Sequence, residues 1–313
     1  MPVHWGKVLT HPARKSVAGP TRPYPQTVSN VQAVDGCAQG RAGHCERMAL
    51  LRVATWNINS LRLRLGLLAR VVEALQPDVL CLQETKVPDG LFPDDAPGAL
   101  GYGHVARRGM KGYNGVAVLS RVPLHLPDAP DWCGRGDCRH LHVDLLLPGG
   151  PVAVHDFYVP AGGDVPDPAA NPKFAHKLQF VAEATRWFHQ HPPRRSVLVG
   201  DLNIAPGEHD VWSHRQLRDV VSHTPVEVEA MEGWMAAGWA DAMRHMVPPP
   251  ERLYTWWSYR NRDRHAANRG RRLDHVWVSH DLLPGVRSLQ VLQEARDWER
   301  TSDHVPVCVG MEV

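Results

Sequence analysis

The sequence contains no apolar run near the about 18 residues that a membrane span requires, so a soluble protein without a membrane partner is expected. It also lacks a surplus of either charge. Lys and Arg number 35 against 33 Asp and Glu, giving a formal charge of +2 and a pI near 8.3. A chain that coats nucleic acid by bulk charge is thereby excluded. If DNA is the partner, its cations must be gathered on one face, against acids that hold metal. A cysteine framework is missing too. Cys37, Cys45, Cys81, Cys133, Cys138 and Cys308 are scattered, which reads as reduced thiols in a cytosolic protein. Cys37, His44, Cys45, Cys133 and Cys138 follow no zinc-ligand spacing, while Cys81 and Cys308 lie in apolar runs as core residues.

Residues 1–49 have little apolar periodicity and few acids besides Asp35 and Glu46, and they carry Pro2, Pro12, Pro20, Pro23 and Pro25. They read as a disordered, mildly basic extension; a targeting leader and a natural start at Met48 are the other readings. From Leu51 the pattern becomes regular. Strands are predicted at 51–56, 79–82, 115–119, 141–147, 152–159, 197–199, 273–278 and 305–309, and helices at 62–75 and 171–189. Strands and helices mixed along 50–313, with 43% hydrophobic residues, indicate one α/β catalytic domain.

Polar residues recur where these apolar strands end. Asn57 and Asn59 close the first, Glu84 the second and Tyr158 the fifth, while Asp201 and Asn203 follow Val197–Val199. Asp274 lies in Arg272-Leu273-Asp274-His275, and Asp303-His304 precedes the last strand. Taken singly, each is an ordinary turn residue, cap or surface histidine. Taken together they are hard oxygen donors, amides, a phenol and an imidazole. Oxygen donors suit magnesium or manganese rather than zinc. Phosphodiester hydrolysis needs such a set, in which a metal neutralises phosphate oxygens, a base activates water and polar groups hold the phosphate.

Segments carrying these residues resemble the exonuclease III family of abasic-site endonucleases, within the DNase I-like endonuclease/exonuclease/phosphatase superfamily. The resemblance rests on WNIN (56–59), LQETK (82–86), GVAVLS (115–120), FYVP (157–160), NPKFAHKLQF (171–180), GDLNIAP (200–206), TWWSYR (255–260), NRGRRLD (268–274) and SDHVPV (302–307), in register across 51–313. It implies a four-layer α/β sandwich with two packed mixed β-sheets flanked by helices. It also implies a magnesium-dependent DNA-repair nuclease, a 3′-to-5′ exonuclease, an abasic-site endonuclease or both, acting in base excision repair. Glu84 would be the principal magnesium ligand, beside Asn57 and Asp303. Asp201 would orient or deprotonate water, Asn203 would hold the phosphate, and Tyr158 would contact the phosphate or help the leaving group. His304, paired with Asp274, would hydrogen-bond the phosphate. In a two-ion version, Asp201, Asn203 and His304 would form the second site, and manganese would serve as well as magnesium.

The implied partner is double-stranded DNA, damaged or with 3′ ends, met by a monomer in the cytoplasm within a nucleoid-associated pool. Lys86, Lys111, Tyr113 and Asn114 lie in loops after strands, where phosphates would pass. Arg260, Arg262, Arg264, Arg269, Arg271 and Arg272 form a basic run beside Trp256, Trp257 and Tyr259, with Asn268 among them. Cations interleaved with aromatics suit nucleic acid; the ordinary reading is core tryptophans and a solvated arginine loop. Two positions depart from the family. Ala161 stands where relatives often carry a polar Asn or Gln, and Arg271 where strong abasic-site enzymes place Trp or another apolar residue. The competing reading keeps the fold but changes the substrate to a small phosphoester, such as an inositol phosphate or a sphingomyelin-type headgroup.

Overall fold

The structure, a computed structural model, describes residues 50–260 and 263–313. The readings made for 1–49, and for Arg262 in the basic run, lie outside the described residues. The strands, numbered along the chain, are β1 (Leu50–Asn57), β2 (Val79–Gln83), β3 (His104–Arg108), β4 (Val116–Ser120), β5 (Leu124–His125), β6 (His140–Leu145), β7 (Val152–Tyr158), β8 (Ser196–Asp201), β9 (Trp239–Asp241), β10 (Asp274–Ser279), β11 (Val286–Val291) and β12 (Val307–Glu312). They build two six-stranded sheets, ordered β11-β12-β1-β2-β4-β3 and β5-β6-β7-β8-β10-β9. Both are mixed, as expected.

In each sheet one central pair is parallel, β1 with β2 and β7 with β8, and every other neighbouring pair is antiparallel. The two sheets therefore repeat one pattern of strand directions, although the sequence shows no repeat. Their valine-rich inner faces pack together through Val53, Val79, Val118, Val154, Val199, Val276 and Val309. The helix Leu61–Leu75 covers the outside of the first sheet through Leu68, Val71 and Leu75. The helices Pro172–Gln190 and Pro225–Met235 cover the second, through Phe180, Phe188 and Trp234. Strands buried on both faces read as unbroken apolar runs, which is why the central strands were legible. The four that were not predicted, β3, β5, β9 and β11, are the four sheet edges. Edge strands are short and carry charges, as His104-Val105-Ala106-Arg107-Arg108 does.

One glycine is demanded by the packing. Gly200 in β8 has φ +133°, and a Cβ there would stand 1.9 Å from the Phe157 carbonyl oxygen. The last turn of β8 can thus lie against β7 only without a side chain, which brings Asp201 level with Tyr158.

A buried ion network fixes the approach to β10. Arg272 is 1% exposed. It donates through Nε and Nη2 to Asp210 at 2.7 and 2.9 Å, and through Nη1 to Asp241 at 2.7 Å. Arg244 adds an Nε bond to Asp210 at 3.1 Å. Arg272 is therefore a structural cation, which corrects its place in the basic run expected to meet DNA. Burial acts to raise the Asp210 carboxyl, but Arg272 and Arg244 outweigh it and hold the group well below the usual range. Asp210→Asn should destabilise the fold by about 3–5 kcal/mol at pH 7, because it strands a buried guanidinium. A carboxyl depressed on folding contributes fully above its unfolded pKa of about 3.9 and loses that contribution at lower pH. Urea unfolding should accordingly show the gap between wild type and variant narrowing between pH 5 and about pH 2.

Candidate active site

The expected residues converge at the carboxyl ends of the two parallel pairs. Asn57 ends β1, and Glu84 follows β2 in the first sheet; Tyr158 ends β7, and Asp201 ends β8 in the second. In open α/β sheets, ligands gather at such ends. Asn57 is fully buried, and its Nδ2 donates both to Glu84 Oε1 at 3.0 Å and across the sandwich to Asp201 Oδ2 at 2.8 Å. Tyr158 donates from its hydroxyl to the same Glu84 oxygen at 2.9 Å. Since β10 and β12 run antiparallel to β8 and β1, their amino-terminal ends bring Asp274 and His304 to this edge.

His304 Nδ1 lies 2.9 Å from Asp274 Oδ2, and its Nε2 lies 3.7 Å from Asp201 Oδ2. Asn203 donates from its backbone N–H to Asp201 Oδ1 at 3.0 Å and from Nδ2 to Asp201 Oδ2 at 3.1 Å. Asp303 accepts from Trp256 Nε1 at 2.9 Å and from Asn59 Nδ2 at 3.1 Å. The backbone is bent to make this possible: Glu84, Lys86 and Asn203 have φ of +52°, +55° and +54°. Such conformations cost energy for residues with side chains and persist where surroundings fix them. Here Thr85 N–H and Lys86 N–H donate to the carbonyls of Gly115 and Asn114, and Ser60 N–H donates to that of Glu84.

The charges in the cluster are strongly coupled. Burial raises the Asp201 carboxyl, and Asp274 and Glu84 add to that against the pull of His304 and the Asn57 amide. Burial opposes charge on His304, but Asp274 and Asp201 outweigh it and carry the imidazole well above its ordinary range. For Glu84 and Asp303, burial is overcome in the other direction. Lys86 and Asn57 lower the first, and His304, Trp256 and Asn59 lower the second. The Tyr158 phenol is raised by burial and by Glu84, so it remains a donor.

These residues fit a metal ion. Asp201, Asp274 and His304 have ligand atoms all within 4.8 Å of one another, and buried Asp274 Oδ1 has no hydrogen-bond partner among the described residues. Lys86 Nζ sits 2.8 Å from Glu84 Oε2 and 2.6 Å from Asn59 Oδ1. One positive charge already draws these oxygens together.

Around the centre, Lys111 and Tyr113 are exposed on the loop before β4, and Tyr259 is half exposed. Asn114 is committed to the Asp137 carbonyl at 2.8 Å, and Asn268 accepts from Trp257 Nε1 at 3.0 Å. Trp257 is buried, whereas Trp256 is partly open and reaches the site through Asp303. Arg271 donates through Nη1 to the Val221 carbonyl and to Ser222 Oγ at 3.0 and 2.7 Å, with its guanidinium 5.5 Å from the Trp256 ring centre. Ala161 is exposed beside this region.

Sequence reasoning singled out Asn59 without giving it a role, and it missed the other supports. Asn59 ties Lys86 to Asp303, and Ser302 Oγ donates to the Asn57 carbonyl at 2.7 Å. Lys177, fully buried and ion-paired with Glu227, donates to the Asn203 carbonyl at 2.8 Å. A lysine on the apolar side of a predicted helix was the available signal for this last contact.

The Endonuclease/Exonuclease/phosphatase family matches residues 54–304. The chain belongs to that family. Exodeoxyribonuclease III of Haemophilus influenzae is 31% identical over 274 residues, 82% of this chain and 98% of its own length. The AP endonuclease from Archaeoglobus fulgidus superposes with a TM-score of 0.76 at 29% identity, covering 84% of this chain and 100% of that one. The 3′-5′ exonuclease NExo from Neisseria meningitidis gives 0.74 at 31% identity, with coverage of 84% and 100%. Within this family's site, the Asp274–His304 pair makes a prediction. Asp274→Asn removes the largest influence that raises His304, leaving Asp201 and Asp303 to oppose burial. NMR titration of the imidazole should therefore find the wild-type ring protonated throughout the neutral range and the variant ring losing its proton at lower pH. Identical titrations would mean that Asp274 does not set the charge.

Proposed function

We propose that the protein is a DNA-repair nuclease that hydrolyses phosphodiesters of double-stranded DNA with magnesium, incising at abasic sites, resecting 3′ ends, or both. The observation that carries this reading is the closing of donors from both sheets on one spot, Asn57 touching Glu84 and Asp201 together. Exposed cations and aromatics flank that spot. The relatives' names supply the class of substrate.

Glu84, with Asn57 and Asp303, would hold the ion. Bound there, magnesium would neutralise phosphate oxygens and favour the leaving oxyanion. Asp201, raised by burial, is suited to accept a proton from water that it also orients. His304, kept charged by Asp274, donates from Nε2 to the scissile phosphate, and Asn203 adds contacts to the phosphate. In a two-ion version Asp201 and His304, whose ligand atoms lie within 4.8 Å of each other and of Asp274, would instead hold the second ion. Tyr158, still carrying its proton, stands ready to contact the phosphate or the leaving oxygen. Lys86, Lys111, Tyr113, Asn114, Trp256, Tyr259, Asn268 and Arg271 form the proposed DNA-facing rim. We propose a monomer, since the site is complete within one chain.

The deciding experiment uses end-labelled duplex DNA bearing one abasic analogue, with magnesium or with EDTA. Metal-dependent incision beside the analogue, or shortening from the 3′ end, is the expected outcome. Cleavage of neither kind would transfer the fold to a small phosphoester. Glu84→Gln and Asp201→Asn should each keep the fold and lose about 10²–10³ or more in rate, and near-normal turnover would remove these residues from the mechanism. Arg271→Trp replaces an anchored cation one ring away from Asp303 by an apolar wall. It should raise abasic incision relative to end resection, and an unchanged ratio would free Arg271 of any part in that choice.

A further inference from the structure

A second group of ligand-type side chains lies at the other end of the second sheet. On β6, His142 and Asp144 are two residues apart and so share a face. His125, on the edge strand β5, stands directly opposite Asp144, and His155 on β7 stands opposite His142. Asp144 pairs with Ala153 near the start of β7, whereas the candidate active site lies at Tyr158, about 17 Å further along the strand. Each oxygen of the Asp144 carboxylate faces one imidazole: Oδ1 is 3.2 Å from His142 Nε2, and Oδ2 is 3.6 Å from His125 Nδ1. The His142 ring is held in place by stacking on His155, centroids 4.2 Å apart and planes 19° apart. Its Nε2 is buried and makes no well-aligned hydrogen bond, to Asp144 or to any other group among the described residues.

We propose that His125, His142 and Asp144 form a site for a divalent transition-metal ion of the zinc class, with water completing the coordination. Two imidazoles and one carboxylate are a zinc donor set and a poor one for magnesium, so the site is chemically distinct from the oxygen-rich centre. In a tetrahedral site with bonds of about 2.0–2.1 Å, ligand atoms stand about 3.3 Å apart; His142 Nε2 already stands 3.2 Å from Asp144 Oδ1, whereas His125 faces the other oxygen of the carboxylate.

His125 is the member that must move. Among the described residues, only Asp201, Asp274 and His304 already have their ligand atoms within 4.8 Å of one another. The His125 side chain is 64% exposed, so rotation about its own bonds is unobstructed by a core. Closing it onto an ion would clip the two-residue strand β5 to the sheet. The chain that leaves β5 runs on to Arg139, whose guanidinium lies 4.7 Å from the Tyr158 ring centre. Such a clip would therefore steady a segment that ends beside the candidate active site.

The proposal stands apart from the nuclease reading, and its test does not use activity. The full-length protein, held in saturating magnesium, is titrated with cobalt(II) and followed by visible absorption. One equivalent with the bands of four-coordinate cobalt, displaced by zinc, is expected. His125→Gln, an exposed change that leaves the core alone, should weaken cobalt binding about tenfold or more, the scale of losing even an outer partner of a metal ligand. Asp144→Asn should act alike, Glu84→Gln should retain the cobalt, and zinc should raise the melting temperature of wild type but not of His125→Gln. Equal uptake by wild type and His125→Gln would overturn the proposal. So would loss of the signal in Glu84→Gln, or a thiolate charge-transfer band placing cobalt on cysteine.

Discussion

The hydrogen bond from Asn57 Nδ2 to Asp201 Oδ2 joins the end of a strand in one sheet to the end of a strand in the other. Apolar inner faces press the sheets together but do not choose their offset, because dispersion and burial have little direction. A buried polar bond does choose it, since an Asn amide and a carboxylate left unpaired in the interior would each cost the desolvation of that group. The repeated strand pattern makes this bond possible. Each sheet contributes the carboxyl end of its one parallel pair, and the neighbouring strands, running the opposite way, deliver Asp274 and His304 to the same edge. Four acids and an imidazole thus meet without any helix or long loop having to carry them.

Gathering Glu84, Asp201, Asp274 and Asp303 in a poorly solvated place is costly, and the surrounding contacts show how the cost is offset. Each carboxylate takes a different donor: Lys86 and Tyr158 on Glu84, two asparagine amides on Asp201, the imidazole on Asp274, and an indole with Asn59 on Asp303. The left-handed backbone at Glu84, Lys86 and Asn203 belongs to the same balance. Beneath Asn203 the buried Lys177–Glu227 pair holds the carbonyl, while Glu227 also accepts from the N–H groups of Ser222 and Thr224. The segment that receives Arg271 is therefore tied, through one ion pair, to the residue that contacts Asp201.

What could be read in the sequence follows from this arrangement. Central strands buried on both faces leave continuous apolar runs, so a polar residue at their ends stands out, and Asn57, Glu84, Tyr158, Asp201 and Asp274 were visible on that ground. Edge strands have one solvated side and no such run, so β3, β5, β9 and β11 were missed, and with β5 the partner of Asp144. Contacts between sheets were equally hidden. Nothing in the spacing of Asn59 and Asp303, or of Ser302 and Asn57, says that they touch, because that depends on the offset of two sheets packed through non-local contacts. The readings for residues 1–49 fall outside the described structure.

The arginine run shows why a count of like charges is a poor map of a binding face. Arg271 and Arg272 are neighbours, and the Trp256–Arg271 bridge makes the chain locally extended there. Successive side chains of an extended segment point to opposite sides. Arg272 consequently turns inward to Asp210 and Asp241, and Arg271 turns toward Trp256 and the rim of the site. One member of the run, Arg272, is thereby spent on the fold. The near-neutral overall charge does not argue against a nucleic-acid partner for the same reason: buried arginines are cancelled by buried acids, and the field at the rim is set by the few cations that alternate outward.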